Sequence, residues 1–238
     1  MPLKNSMKKS IILLLLTTTI SFAQGGLFGK DPIINLENFD KQKVHWGYYL
    51  GFNSFDFKFD YLTPTAKDVS VETTMGFNVG LVGNLRLMEY VDLRFEPGLA
   101  ITQRNLTFPG FETTSKSLRE AKSTYIYFPL LLKFSSKRTG NIRPYLLGGV
   151  ATAVNLGSNS KAPDDNSNGR FRMTQWTNFY EVGFGIDLYL EYFKFSPSIR
   201  GVFSMNDELI RDNAPDSPWT GNIQEMKTRG VFINFTFH

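Results

Sequence analysis

Residues 74–104 read TMGFNVGLVGNLRLMEYVDLRFEPGLAITQR, and their two-residue alternation decides the fold. Met75, Phe77, Val79, Leu81, Leu85 and Leu87 are apolar, whereas Thr74, Gly76, Asn78, Gly80, Asn84 and Arg86 fill the positions between, with only Val82 out of phase. After a turn at Met88, Glu89 and Tyr90 the pattern returns. Val91, Leu93, Phe95, Leu99 and Ile101 now alternate with Asp92, Arg94, Glu96, Gly98, Thr102 and Arg104. Successive side chains of a strand point to opposite faces, so this hairpin has one apolar face and one charged face. The fold class depends on the solvent that each face meets.

The same period runs through the chain and gives about eight strands. The first begins near Val44, with Trp46, Tyr48, Leu50 and Phe52 on one face, after which the apolar set moves by one residue to Phe55, Phe57, Phe59 and Tyr61. A β-bulge near Asn53 and Ser54 is the expected cause of that shift. The hairpin supplies strands two and three. Strand four spans about Thr124 to Phe134, strand five about Ile142 to Leu156, strand six runs from about Gln175 to Leu190, strand seven follows Phe193, and strand eight ends the chain through Val231, Ile233, Phe235 and Phe237.

Connections alternate between short and long. A few residues join strands around Glu89, Lys137 to Asn141, and Glu191 to Tyr192. Polar stretches of roughly Pro64 to Thr73, Asn105 to Ser123, Gly157 to Thr174 and Asn206 to Met226 join the others. The N-terminus adds a location. Lys8 and Lys9 precede an apolar run from Ile11 to Leu16 that continues to a small-residue site at Ser21 and Ala23, the pattern of a secretory signal cut before Gln24. This divides the chain into a signal peptide (1–23), a periplasmic N-terminal segment (24–43) and a strand-rich domain (44–238).

Composition fits one exported domain of good size. The 238 residues are 42% hydrophobic and 15% aromatic, with 22 phenylalanines. The absence of cysteine excludes a disulfide framework and a cysteine-linked lipid anchor. The formal charge of +4 falls to +1 once Lys4, Lys8 and Lys9 leave with the signal, which argues against a nucleic-acid partner. A soluble antiparallel sandwich also alternates. The signal, the charges on the second face and the loop asymmetry together select a closed antiparallel transmembrane β-barrel of the outer membrane, with short periplasmic turns and long extracellular loops.

In such a barrel the apolar faces meet lipid and the sheet closes on itself, because a bilayer offers the backbone no hydrogen-bond partner. A barrel of eight strands is narrow enough to be filled by its own side chains. Arg86, Asp92, Arg94, Glu96, Lys133, Glu181, Asp187, Lys194 and Arg200 are then expected inside as an ion-pair network, since an unpaired buried charge costs far more than a paired one. An ion-conducting or catalytic role for them is the sharper alternative. Pro97, Pro129, Pro144 and Pro197 fall within strands, where each removes a ladder hydrogen bond, and they are expected at bulges.

The segments Leu93-Arg-Phe-Glu-Pro-Gly-Leu99, Tyr125-Ile-Tyr-Phe-Pro-Leu-Leu-Leu-Lys133, Arg143-Pro-Tyr-Leu-Leu-Gly-Gly149 and Val182-Gly-Phe-Gly-Ile-Asp187 resemble the recurring strand motifs of a large family of Bacteroidetes outer-membrane β-barrels. Within it, Val44-His-Trp-Gly-Tyr-Tyr-Leu-Gly-Phe-Asn-Ser54 followed by Phe55-Asp-Phe-Lys-Phe-Asp-Tyr61 is similar to the PorT (SprT) subgroup. That resemblance implies an integral component of the type IX secretion apparatus, which in gliding species also exports adhesins. It brings no catalytic residues, cofactor or metal. A filled barrel cannot pass folded cargo, so the implied role is accessory or assembly work. Partner subunits would be met through the extracellular loops and residues 24–43, which include Gly25-Gly-Leu-Phe-Gly29 and Pro32-Ile-Ile-Asn-Leu36. Those residues are either a flexible leader or a partner-binding strand.

Other chemistries are weaker. Asp164-Asp-Asn-Ser-Asn-Gly169 begins like an EF-hand loop, but the twelfth position is Gln175 where a bidentate Glu is needed. His45 and His238 are the only histidines, one at each end of the barrel, and closure makes their strands neighbours. A lipid-modifying hydrolase would need one of them beside a serine, and no Ser/His/acid spacing marks such a set. A generic structural or adhesive barrel, unrelated to secretion, is the other reading.

Overall fold

The computed structural model describes residues 33–64, 67–162 and 169–238. The signal, residues 24–32 and most of the EF-hand-like stretch (164–168) lie outside the described residues. Ten strand segments follow in chain order: β1 (Val44–Tyr61), β2 (Ser70–Thr73), β3 (Met75–Met88), β4 (Val91–Phe95), β5 (Gly98–Thr107), β6 (Leu118–Ser135), β7 (Ile142–Asn155), β8 (Trp176–Tyr189), β9 (Lys194–Ser204) and β10 (Ile223–Phe237). β2 and β3 are one strand interrupted at Thr74, and β4 and β5 one strand interrupted at Glu96 and Pro97, so the ring has eight staves. Every neighbouring pair is antiparallel, and β1 pairs with β3 on one side and β10 on the other, which closes the barrel. No helix among the described residues is long and apolar enough to cross a membrane; the chain crosses with strands.

The expected bulge at Asn53 and Ser54 is absent. β1 keeps one register against β10 from Tyr48↔Phe237 to Asp60↔Glu225, and one against β3 from Val44↔Leu85 to Ser54↔Met75. Side-chain direction therefore does not change between Val44 and Asp60. Trp46, Tyr48, Leu50 and Phe52 point outward, and so do Ser54 and Lys58; Phe55 and Phe57 point inward and are buried. The strand changes solvent instead of phase. Below Ser54 the outer wall meets lipid and must be apolar; above it the outer wall meets water, and the apolar residues move inside.

Neighbouring staves invert at the same level. On β5 the outward face passes from Leu99 and Ile101 to Gln103 and Asn105, and on β6 from Ile126 to Thr124, Lys122 and Glu120. On β10 it passes from Val231 to Arg229, Lys227 and Glu225. Ion pairs line this upper wall: Arg229–Asp56 at 2.7 Å, Lys227–Glu225 at 2.6 Å and Lys122–Glu120 at 2.7 Å. The barrel thus stands above the bilayer. Ser70–Thr73, Asn105–Thr107 and Leu118–Lys122, read from sequence as loop, are paired strand in this extension.

A real bulge sits one stave away. Between Thr73↔Arg104 and Phe77↔Ile101, the three residues 74–76 face only Thr102 and Gln103. The Thr74 N–H and hydroxyl both donate to the Gln103 carbonyl, at 3.3 and 2.6 Å. The extra residue flips the face: odd positions point outward in β3, whereas Val71 in β2 packs toward the interior.

The four prolines are not bulges. Pro129↔Ala151, Pro144↔Ile186 and Pro197↔Phe235 are regular ladder positions, and the register is unchanged across Pro97. Each lacks a donor, but the carbonyls still accept: Leu81 N–H donates to Pro97 O at 2.9 Å, Glu96 N–H to Pro129 O at 3.2 Å and Ser136 N–H to Pro144 O at 2.9 Å. A missing N–H opens one bond without moving the strand, which is why the ladders tolerate it.

Candidate functional site

The bore is filled in four storeys. At the periplasmic mouth, residues 33–43 lie across the opening as a strap. The Asn35 N–H donates to Asn141 Oδ1 at 2.9 Å, and its side-chain amide to the Tyr189 carbonyl at 3.1 Å. Arg138 donates to the carbonyls of Asn35 and Leu36 while its guanidinium stacks 3.7 Å from the Tyr189 ring. The Tyr189 hydroxyl donates to Asp40 at 2.6 Å, and Arg143 reaches the same carboxylate at 3.4 Å. Phe39 of the strap, His45 of β1 and His238 form a cluster of rings, with both Phe39–His45 and His45–His238 centroids 4.9 Å apart.

Above the strap lies the charge network. Asp187 accepts from Lys133 at 2.6 Å and from Ser196 at 2.6 Å, with Lys194 at 3.9 Å. Glu96 pairs with Arg94 and with Arg200, the latter at 2.8 Å, and Arg200 continues to Glu181 at 3.1 Å. The Tyr127 hydroxyl donates to Glu181 at 2.8 Å, and Arg94 to the Thr236 hydroxyl at 3.0 Å. Seven of the nine expected residues therefore meet, all of them at most 3% exposed. Arg86 and Asp92 do not join the chain. They are ladder partners near the lower rim, both half-buried.

At mid-height five aromatic rings close on one another around the bore. Phe55 meets Tyr125 (5.7 Å) and Phe232 (5.2 Å), Tyr127 meets Phe232 (5.6 Å) and Phe179 (5.7 Å), and Phe179 returns to Tyr125 (6.4 Å). None is more than 2% exposed. They come from β1, β6, β8 and β10, so the cycle spans the barrel from wall to wall.

The uppermost storey is an apolar core inside the extracellular extension. Phe57, Leu106, Ala121 and Met226 of the wall pack with Phe108, Phe171, Met173 and Leu209 of the loops. Buried Arg104 and Glu208 lie beneath it. Arg104 donates to the hydroxyls of Thr228, Ser123 and Tyr125 at 3.0–3.1 Å and stacks 3.8 Å from the Phe57 ring centroid. Buried Glu208, from the β9–β10 loop, accepts from the Thr228 N–H at 2.9 Å. Burial holds its carboxyl above the usual range, with Arg104 pulling the other way.

No hydrolytic set assembles among the described residues. His45 Nε2 lies 3.3 Å from Lys194 Nζ, and His238 Nδ1 lies 3.3 Å from the Trp46 carbonyl; neither ring touches a serine or a carboxylate. Among the described residues no three His, Asp or Glu side chains cluster as metal ligands. The aromatic cycle is not legible from sequence, because Phe55 lies where the apolar set moves by one residue. Its signal was the tyrosines Tyr125 and Tyr127, which occupy the polar face of β6.

A closed, eight-stave barrel with a lipid-facing apolar belt is matched by a family model. The model described as "Outer membrane protein beta-barrel domain" covers residues 22–209. The chain belongs to this family. Its membrane is accordingly the outer membrane. Similar solved structures include OprG of Pseudomonas aeruginosa (16% identity, 82% of this chain and 94% of that one, TM-score 0.42). Others are Ail of Yersinia pestis (11%, 82% and 98%, 0.35) and AlkL in DMPC bilayers (12%, 88% and 92%, 0.40). Among curated proteins no match is found.

Proposed function

We propose that this family member is an accessory or assembly subunit of an outer-membrane protein-secretion machine, the type IX apparatus whose PorT (SprT) component its opening strand resembles. It works as a closed barrel and performs no catalysis. The secretion role rests on the resemblance of the opening strand; the choice of a closed subunit over a conduit is carried by the aromatic cycle of Phe55, Tyr125, Tyr127, Phe179 and Phe232, which leaves no room for a polypeptide at mid-bore. The narrow bore points away from conduction, so contacts with partner subunits fall to the extracellular extension and the N-terminal segment. Partners in this role are other secretion subunits and outer-membrane lipid.

The test is a clean chromosomal deletion followed by an assay of type IX cargo in the medium. Loss of cargo with an intact outer membrane, restored by the wild-type gene, is the expected result. The purified barrel should show no steady conductance in a planar bilayer. Normal secretion from the deletion strain would overturn the secretion role and leave a structural barrel; a stable open conductance would overturn the closed one.

A further inference from the structure

Above Ser54 the wall of the barrel has an open seam. β1 pairs with β3 only from Val44 to Ser54, and its upper part, Phe55 to Tyr61, has a ladder partner on the β10 side alone. β2, which follows β1 in the chain, pairs only with β5. Two strand edges therefore face each other without a ladder between them.

The chemistry of the β1 edge follows from period. The Lys43 carbonyl accepts from Arg86 N–H on this side, so odd-numbered residues direct their backbone groups toward it. Those of Phe55, Phe57 and Phe59 consequently face the seam. The Phe57 N–H has taken its own neighbour's side chain, Asp56 Oδ1 at 2.8 Å, as a substitute partner. Behind the seam Phe59, Tyr61, Val69 and Val71 are only half-buried, although they pack on the fully buried upper core. On the outer wall Asp56 is matched by Arg229 and Asp60 by Lys58, whereas Glu72 of β2 has no ion-pair partner among the described residues.

We infer that this seam is a β-addition site on the extracellular side, taking an extended protein segment that adds to β1 in the gap beside β2. The edge fixes the occupant's form, because unpaired backbone groups are best met by another backbone. The half-buried rings and valines ask for apolar side chains at alternate positions pointing inward. Glu72 asks for a lysine or arginine on the outward face. The partner is thus a basic, alternating, extended segment.

The probe is a fluorescent eight-residue peptide, acetyl-Lys-Val-Thr-Val-Lys-Val-Thr-Val-amide, titrated onto the full barrel in lipid nanodiscs. Saturable binding that slows amide exchange at Phe55 and Phe59 is expected, with loss of binding when alternate peptide amides are N-methylated. Phe59→Pro removes one edge donor and leaves the β10 ladder intact, so affinity should fall about five- to tenfold. Glu72→Lys, on the exposed wall where folding is indifferent to it, should weaken the basic peptide about threefold and favour a version carrying Glu in place of Lys. Absence of binding, equal binding of the N-methylated peptide, or unchanged exchange at Phe55 and Phe59 at saturation would overturn the site.

Discussion

The lower and upper halves of the bore solve the same filling problem with opposite chemistries. Below the aromatic cycle the wall is surrounded by lipid, its outer face carries the apolar residues, and the inner face is left with charges that must pair: Glu96 between Arg94 and Arg200, Asp187 between Lys133 and Lys194. Above it the wall stands in water, its outer face carries the ion pairs, and the inside becomes an ordinary apolar core around Phe57, Phe108 and Phe171. The outside solvent therefore dictates the inside composition, because alternation forces whatever one face excludes onto the other.

The comparison breaks most sharply at Glu96. Glu96→Ala leaves two buried guanidinium groups facing each other, and the barrel should lose about 3–5 kcal/mol, seen as a lower urea midpoint in lipid vesicles and loss of the heat-resistant gel band. Phe57→Ala tests the upper half, where a cavity under the loops should cost about 3 kcal/mol in the same unfolding experiment. Retention of wild-type stability by the first variant would deny that the lower half depends on pairing.

Two smaller effects sharpen the contrast. Glu208 has its carboxyl raised above the ordinary 4.5 by burial, so the native state keeps a proton that the unfolded chain has released. Its contribution to stability is accordingly lost as pH climbs from about 4.5 through that raised value. Glu208→Gln keeps an acceptor for the Thr228 N–H and should flatten this decline, measured as the unfolding midpoint against pH. The least effect is expected outside: Asp56→Asn opens the exposed pair with Arg229 and should move stability by no more than about 0.5 kcal/mol.

The closed barrel, its stave count and most of its charge network were legible because lipid imposes a strict period over long segments. Seven charged residues scattered from Arg94 to Arg200 could be grouped simply by the face they occupy. The bulge that sequence predicts at Asn53 and Ser54 is absent for a physical reason. A strand that slips by one residue and a strand that passes from lipid into water give the same change of apolar phase, and only the partner strands distinguish them. Ser54, Asp56, Lys58 and Asp60 carried the missing clue, since charged residues alternating outward with aromatics describe a wall in water. The Thr74 bulge left no such mark, because β2 is too short to show a period. At the prolines the lost donor removes one ladder bond, as sequence predicts, but a carbonyl that still accepts holds the register.

The strap at the lower mouth also depends on the closed ring. Its seat is assembled from Arg138 and Asn141 of one turn, Arg143, Tyr189 and Lys194 of three successive staves, and His45 and His238 at the two ends of the ring. The first five lie on consecutive staves, whereas His45 and His238 meet only where the ring closes. The Phe39 contacts with His45 and His238 exist only when the first and last strands are side by side, so the strap's full set of contacts is available to the closed ring alone.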